Sequence, residues 1–245
     1  MTRILLLGGT TEAGAMAQAL SGAGTEAVFS YAGRTANPAP QPLPTRIGGF
    51  GGVEGLVLFL RENGISHVID ATHPFAEGMS RNAIAACARA GVALIALERP
   101  AWTPEPGDRW TRVADYAAAA RALPGDGSTV FLAIGRQNLA PFVGLKHRWL
   151  LRFAEVAAHP LRDATLIASR GPYTVAGDVA LMQRHAVAHI VAKNAGGRAA
   201  EAKLAAARQL GLPVVMIDRP ALPHRHSVAT VAEVMAWLHG ADRGV

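Results

Sequence analysis

The 245-residue chain is half hydrophobic and only 17% charged, which excludes a disordered polypeptide, and its length admits one large α/β domain or two smaller ones. No apolar run reaches the ~18 residues of a membrane span and no secretory leader is visible, so a cytoplasmic protein with no membrane partner is expected. The net charge of +6 lies entirely in residues 101–245, because residues 1–100 hold seven Lys/Arg and seven Asp/Glu; an acidic partner would dock mainly on the later part.

Ile4-Leu5-Leu6-Leu7 reads as a strand buried on both faces, and the small-residue stretch Ala13 to Leu20 reads as a helix. Between them, Gly8, Gly9, Thr10, Thr11 and Glu12 would turn backbone N–H groups outward at a helix start, where the dipole favours an anion such as a dinucleotide pyrophosphate. The Rossmann fingerprint asks for glycine at 8, 10 and 13, whereas this chain has Gly8, Thr10 and Ala13. A tight turn with no ligand is the alternative. A carboxylate at Glu12 would repel phosphate, so it should point toward a ribose hydroxyl or the reacting ligand. Ala27 to Ser30 reads as the second strand, and the turn after it carries Arg34 and no carboxylate. That favours NADP over NAD, with an exposed surface arginine as the alternative.

Pro38, Pro40, Pro42 and Pro44 alternate, and Phe50 lies between the pairs Gly48-Gly49 and Gly51-Gly52. The segment is either a flap covering a ligand or a long connection. Val53 to Glu62 reads as a helix and His67 to Asp70 as a buried strand. In the turn that follows, Pro74 suits a first helical position, with Thr72 or His73 capping the helix. This turn lies at the carboxyl end of a strand, where His73 would meet cofactor or substrate or serve only as a cap. The single cysteine, Cys87, reads as a small buried apolar residue and permits no intrachain disulfide.

An internal repeat follows: Gly91 to Ala101, ending Glu98-Arg99-Pro100-Ala101, is echoed by Gly211 to Ala221, ending Asp218-Arg219-Pro220-Ala221. Each copy follows an alanine-rich helix and an earlier strand. The chain therefore reads as two related Rossmann-like α/β units with parallel sheets flanked by helices, residues 1–100 and 101–245, with the active site in the cleft between them. The second unit is expected to begin with the strand at Thr129, which puts Arg136 where the first unit has its phosphate loop. Arg170 before Gly171-Pro172-Tyr173 and Lys193 before Asn194 occupy later turns, so three cations gather at strand-following turns and suggest an anionic ligand. His224-Arg225-His226 lacks a third ligand and no metal is expected; Val228 to Leu238 reads as a closing helix.

Leu7 to Glu12, Ala32 to Thr35, Gly48 to Gly52, Asp70 to Ala76, Glu98-Arg99-Pro100, Gly135-Arg136-Gln137, Arg170-Gly171-Pro172, Lys193-Asn194 and Asp218-Arg219-Pro220 together resemble the precorrin-6A reductase family of cobalamin biosynthesis, in order along nearly the whole chain. The resemblance implies an NADPH-dependent oxidoreductase acting on a CH–CH group, which reduces a double bond of precorrin-6A to give precorrin-6B, or acts on the cobalt-containing equivalent of the oxygen-independent route. Gly8, Gly9, Thr10, Thr11, Glu12, Arg34, Thr72, His73 and Pro74 would then serve the cofactor, with Gly8, Gly9 and Thr10 at its pyrophosphate, Arg34 at its 2′-phosphate and Thr72 and His73 on its nicotinamide side, and Arg99, Arg136, Arg170, Lys193 and Asn194 the carboxylates of the tetrapyrrole. His73 and Tyr173 are candidates for the catalytic proton. Two other classes compete: a non-catalytic two-lobed protein for an anionic ligand, and a nucleic-acid-binding protein, against which the scattered cations and few interleaved aromatics argue. The oligomeric state is open.

Overall fold

The computed structural model describes residues 2–33, 39–156 and 158–241 and divides the chain into two units, residues 1–100 with 221–245, and residues 101–220. Each unit holds a six-stranded sheet in which every pairing is parallel.

In the first unit the chain runs β1 (Arg3–Leu7), α1 (Thr11–Gly22), β2 (Glu26–Tyr31), β3 (Thr45–Ile47), α2 (Gly52–Glu62), β4 (His67–Asp70), α3 (Glu77–Ala90) and β5 (Ala93–Leu97). The second unit continues with β6 (Arg109–Val113), α4 (Tyr116–Ala122), β7 (Thr129–Ala133), β8 (Arg148–Phe153), β9 (Ala164–Ala168), α5 (Val175–Arg184), β10 (Val187–Lys193), α6 (Ala202–Leu210) and β11 (Pro213–Ile217). β12 (Ser227–Val228) and α7 (Val231–Ala241) return to the first unit.

The two sheets have matching strand orders, β12-β5-β4-β1-β2-β3 and β6-β11-β10-β7-β8-β9. β1 and β7 thus hold equivalent central places. The repeat read from the sequence is β5 with β11, and the match extends to the preceding helix ends. Gly91 and Gly211 close α3 and α6 at φ 68° and 65°, and Val92 and Leu212 donate to the carbonyls of Cys87 and Ala207, five residues back. Glycine is used there because the left-handed conformation costs it no Cβ clash.

The sixth strand of each sheet departs from the expected boundary. A parallel neighbour cannot be reached by a tight turn, and no helix lies between β5 and β6 or between β11 and β12 among the described residues. The strand after β5 joins β11 of the second unit, and the strand after β11 joins β5 of the first. The second unit therefore ends at Pro220 instead of running to residue 245, and it starts before Thr129 with β6 and α4.

β1 shows why a continuous apolar run is central. Ile4 and Leu6 pack with Met16, Leu20 and Val234 on one face, while Leu5 and Leu7 pack with Leu56, Leu60 and Ala83 on the other. Each such fully buried side chain is worth about 1.5–3 kcal/mol as an upper estimate. Cys87 belongs to the second of these clusters, and burial, with Asp70 nearby, pushes its thiol up to about 12. It is the small buried apolar residue expected. No helix among the described residues is long and apolar enough to cross a membrane.

Three local expectations change. Thr45–Ile47, read as part of a loop, is a short outer strand beside β2, a place where the preceding prolines do no harm. The closing helix starts at Val231, because Ser227 and Val228 are taken by the sheet. α3 begins at Glu77, with Ala76 before it and no side-chain cap; Pro74 is therefore not its first residue, and neither Thr72 nor His73 caps it, because a separate turn in which Ala76 N donates to the His73 carbonyl intervenes.

Candidate functional site

The carboxyl ends of β1 and β4 carry the first unit's candidate site. Gly8 is pinned by its amide, which donates to the Ser30 carbonyl at 3.0 Å, and Gly9 takes φ 118°, a conformation that favours glycine. Thr10 caps α1: its Oγ1 accepts from Ala13 N at 3.1 Å and donates to the Ala71 carbonyl at 2.8 Å. The threonine thus replaces the second glycine of the fingerprint and joins the two strand-end turns. The first-turn amides of Thr11 and Glu12 lack intrahelical acceptors, as at any helix start, and no Cβ occupies the space beside Gly9. That arrangement fits a pyrophosphate. The Glu12 carboxylate is met by Arg99 at 2.7 Å, which draws its charge toward β5. Arg34 lies outside the described residues.

The second turn is organised by Asp70, which is 2% exposed. Its Oδ1 accepts from Thr72 N at 3.1 Å and Thr72 Oγ1 at 2.7 Å, and its Oδ2 accepts from Ser80 Oγ at 2.7 Å and from Arg225. Arg225 also donates to Glu98 at 2.8 Å. Beyond Thr72, His73 Nδ1 accepts from Phe75 N at 3.1 Å, so in the neutral ring the proton resides on Nε2.

At the equivalent edge of the second unit, the place of α1 after β7 is taken by two 3-10 turns, Arg136–Asn138 and Ala140–Phe142. This edge lacks the helix start of the first unit, and Arg136 is exposed there. Arg170 is paired with Glu155. Asn194 is committed to backbone: its Oδ1 accepts from Trp102 N at 2.7 Å and its Nδ2 donates to the Trp102 carbonyl at 3.0 Å. Tyr173 OH donates to the Ser169 carbonyl at 2.8 Å, and the Arg152 guanidinium covers its ring at 3.7 Å. Lys193 ends β10.

Sequence reasoning missed Asp70, Arg225, Arg152, Asp178 and Lys203. Arg152 forms a buried ion pair with Asp178 in the first turn of α5. Its one sequence signal was a charge inside the apolar run Trp149 to Phe153. Lys203 is buried in α6, donates to the Ala200 carbonyl and lies 4.8 Å from the Trp102 ring centre. The carbonyl and ring face favour the ammonium, but burial, with Arg152 adding repulsion, lowers its pKa to about 7. Because this lies below the 10.5 of the unfolded chain, the unfolded state binds a proton across that interval that the folded state does not. Stability contributed by Lys203 therefore rises with pH from about 7 toward 10 and falls as pH drops. Lys203→Met is expected to flatten that rise; equal urea-midpoint differences between wild type and variant at pH 7 and pH 9.5 would refute it.

The family model described as precorrin-6x reductase CbiJ/CobK matches residues 3–239. The chain is 59% identical to a precorrin-6A reductase of Rhodobacter capsulatus, over 100% of both chains. It is 47% identical to one of Rhodococcus erythropolis, covering 97% of this chain and 98% of that one. Identity to a cobalt-precorrin-6A reductase of Priestia megaterium is 31%, over 98% and 99% of the two chains. A solved structure titled CobK precorrin-6A reductase superposes with a TM-score of 0.93 at 59% identity, covering 100% of this chain and 98% of that one.

Proposed function

Because the chain belongs to the precorrin-6x reductase (CbiJ/CobK) family, we propose that it reduces one double bond of the precorrin-6A macrocycle with NADPH to give precorrin-6B in cobalamin biosynthesis, as a cytoplasmic enzyme. The observation that carries this reading is the full-length match to relatives named for that reaction; a strand-end turn at Gly8 to Glu12 that opens a helix, with clear space beside Gly9, supports it as a place that suits a pyrophosphate. The metal-free ring is favoured over the cobalt complex, since the relatives at 43–59% identity are named precorrin-6A reductase and those at 29–31% cobalt-precorrin-6A reductase.

Bound NADPH supplies a hydride. The first unit would hold it, through Gly8, Gly9, Thr10 and the backbone amides of Thr11 and Glu12 at the pyrophosphate, Arg34 near the ribose, and Thr72, His73 and Pro74 toward the nicotinamide. Asp70 and Arg225 keep that last turn in place. The second unit takes the tetrapyrrole, with Arg136, Arg170 and Lys193 as carboxylate partners. Asn194 contributes by fixing the turn after Lys193, because both polar atoms of its amide are spent on Trp102. Cations around the ring would also stabilise negative charge developing on it. Of the two proton candidates, His73 is favoured, because the Tyr173 hydroxyl proton is committed to the Ser169 carbonyl.

The test is NADPH oxidation followed by absorbance with precorrin-6A and, separately, its cobalt complex. Arg136→Ala and Lys193→Ala are each expected to lower kcat/KM for the ring by about 10-fold or more, as for loss of a charge-assisted hydrogen bond, with NADPH affinity unchanged. Unchanged kinetics in both would remove them from the site.

A further inference from the structure

We infer that Arg46, a residue that no sequence motif singled out, makes the side-on contact to the 2′-phosphate and thereby sets the preference for NADPH over NADH; the inference rests on the NADPH reading above. β3 pairs with β2 so that Arg46 lies opposite Ser30, and Ser30 is the residue whose carbonyl holds the Gly8 amide. The cation therefore belongs to the same strand ends as the pyrophosphate turn, on the side where a dinucleotide's adenine ribose rests.

Its guanidinium is held in one orientation before any ligand arrives. Nη1 donates to Ser30 Oγ at 2.8 Å and to the Gly48 carbonyl at 2.9 Å, and Nη2 donates to the Gly49 carbonyl at 3.1 Å. The plane is backed by the Phe50 ring, 3.9 Å from the guanidinium carbon, with Phe59 behind it at 5.3 Å. All three acceptors are neutral. Arg3, Arg81, Arg89, Arg99 and Arg225 of the same unit each pair with a carboxylate, while Arg46 has none among the described residues.

The donor count defines the ligand. Both Nη1 hydrogens and one Nη2 hydrogen are engaged, leaving Nε–H and one Nη2 hydrogen without an acceptor among the described residues. Two donors on one rigid fork match two oxygens of a phosphate monoester, and the uncancelled charge matches its dianion. β2 ends at Ser30-Tyr31 and leads into Ala32-Gly33, with no carboxylate to accept ribose hydroxyls or to repel the phosphate. The Gly48 to Gly52 segment, with Phe50 at its centre, then serves as the frame that aims Arg46.

The experiment is calorimetric titration of the full chain with 2′,5′-ADP and with 5′-AMP. Wild type is expected to bind 2′,5′-ADP at least 10-fold more tightly. Arg46→Met, which keeps an apolar stem on Phe50, and Arg46→Ala should each lose at least 10-fold for 2′,5′-ADP while leaving 5′-AMP unchanged, so that 5′-AMP binding also reports an intact fold. Arg46→Lys should recover only a small part, because an ammonium lacks the fork. An Arg46→Met protein that keeps the wild-type ratio overturns the inference, and a loss confined to Arg34→Ala would place the contact there. Wild type that does not distinguish the two nucleotides would instead sink the NADPH reading itself.

Discussion

Arg225→Ala is expected to destabilise the first unit by about 3–5 kcal/mol, the cost of leaving a buried charge without its partner. The guanidinium side chain is 9% exposed and that of Asp70 is 1%, so water cannot take over the lost interaction. Thr72 and Ser80 would still donate to the carboxylate, but two hydroxyls do not neutralise it. Hydrogen exchange reports the change by location: amides of β4, β5 and β12 should lose protection while those of the second unit keep theirs. The double change Arg225→Met with Asp70→Asn should recover much of the loss, because a neutral amide needs no counter-ion. The single variant should also bind 2′,5′-ADP normally and NADPH more weakly, since the turn through Thr72 is loosened and the adenosine end is not. A single variant within about 1 kcal/mol of wild type, with unchanged protection, would show the pair to be dispensable.

Gly8→Ala is expected to cost about 2–3 kcal/mol through overpacking alone. A methyl carbon at residue 8 would lie 2.1 Å from Phe29 Cζ and 2.4 Å from Cε1. The Phe29 ring cannot withdraw, being 0% exposed and packed 4.6 Å from Tyr31. Gly9→Ala differs in kind: nothing lies within 4 Å of the added carbon, and its penalty comes from φ 118°. Phe29→Leu is therefore expected to rescue Gly8→Ala and not Gly9→Ala, as a coupling in a double-mutant cycle of urea midpoints. Additive effects for both pairs would reject the steric account. The same comparison explains why the glycine fingerprint is incomplete here. Gly8 answers to a ring and Gly9 to a dihedral angle, whereas positions 10 and 13 carry no such demand: Thr10 caps the helix and Ala13 packs with a buried methyl.

Much of the architecture was legible because it is written in near neighbours. Ile4 to Leu7 and Ala93 to Leu97 are apolar runs that require a doubly covered sheet, Val68-Ile69 form the apolar centre of a third strand, and the echo of Gly91 to Ala101 in Gly211 to Ala221 exposed the duplication. The turns that follow these strands, with Gly8 to Glu12 and Thr72 to Pro74, were also visible, since a βαβ order brings strand ends to one edge whatever the details of packing. The family resemblance rested on those same turns.

By itself, then, the sequence determined the α/β class, the doubled unit, the strand-end loops and the buried Cys87, all of which follow from periodicity and turn chemistry over a few residues. Tertiary structure alone decided that Ser227 and Val228 join the first sheet, that Arg225 answers Asp70 across 155 positions, that Arg152 answers Asp178, and that Arg46 is aimed by Ser30 and two glycine carbonyls. A cation in an apolar stretch reads locally as an exception without a cause. Its cause is a partner brought near only when strands distant in the chain take adjacent places, and burial then makes that one pairing worth more than any surface alternative.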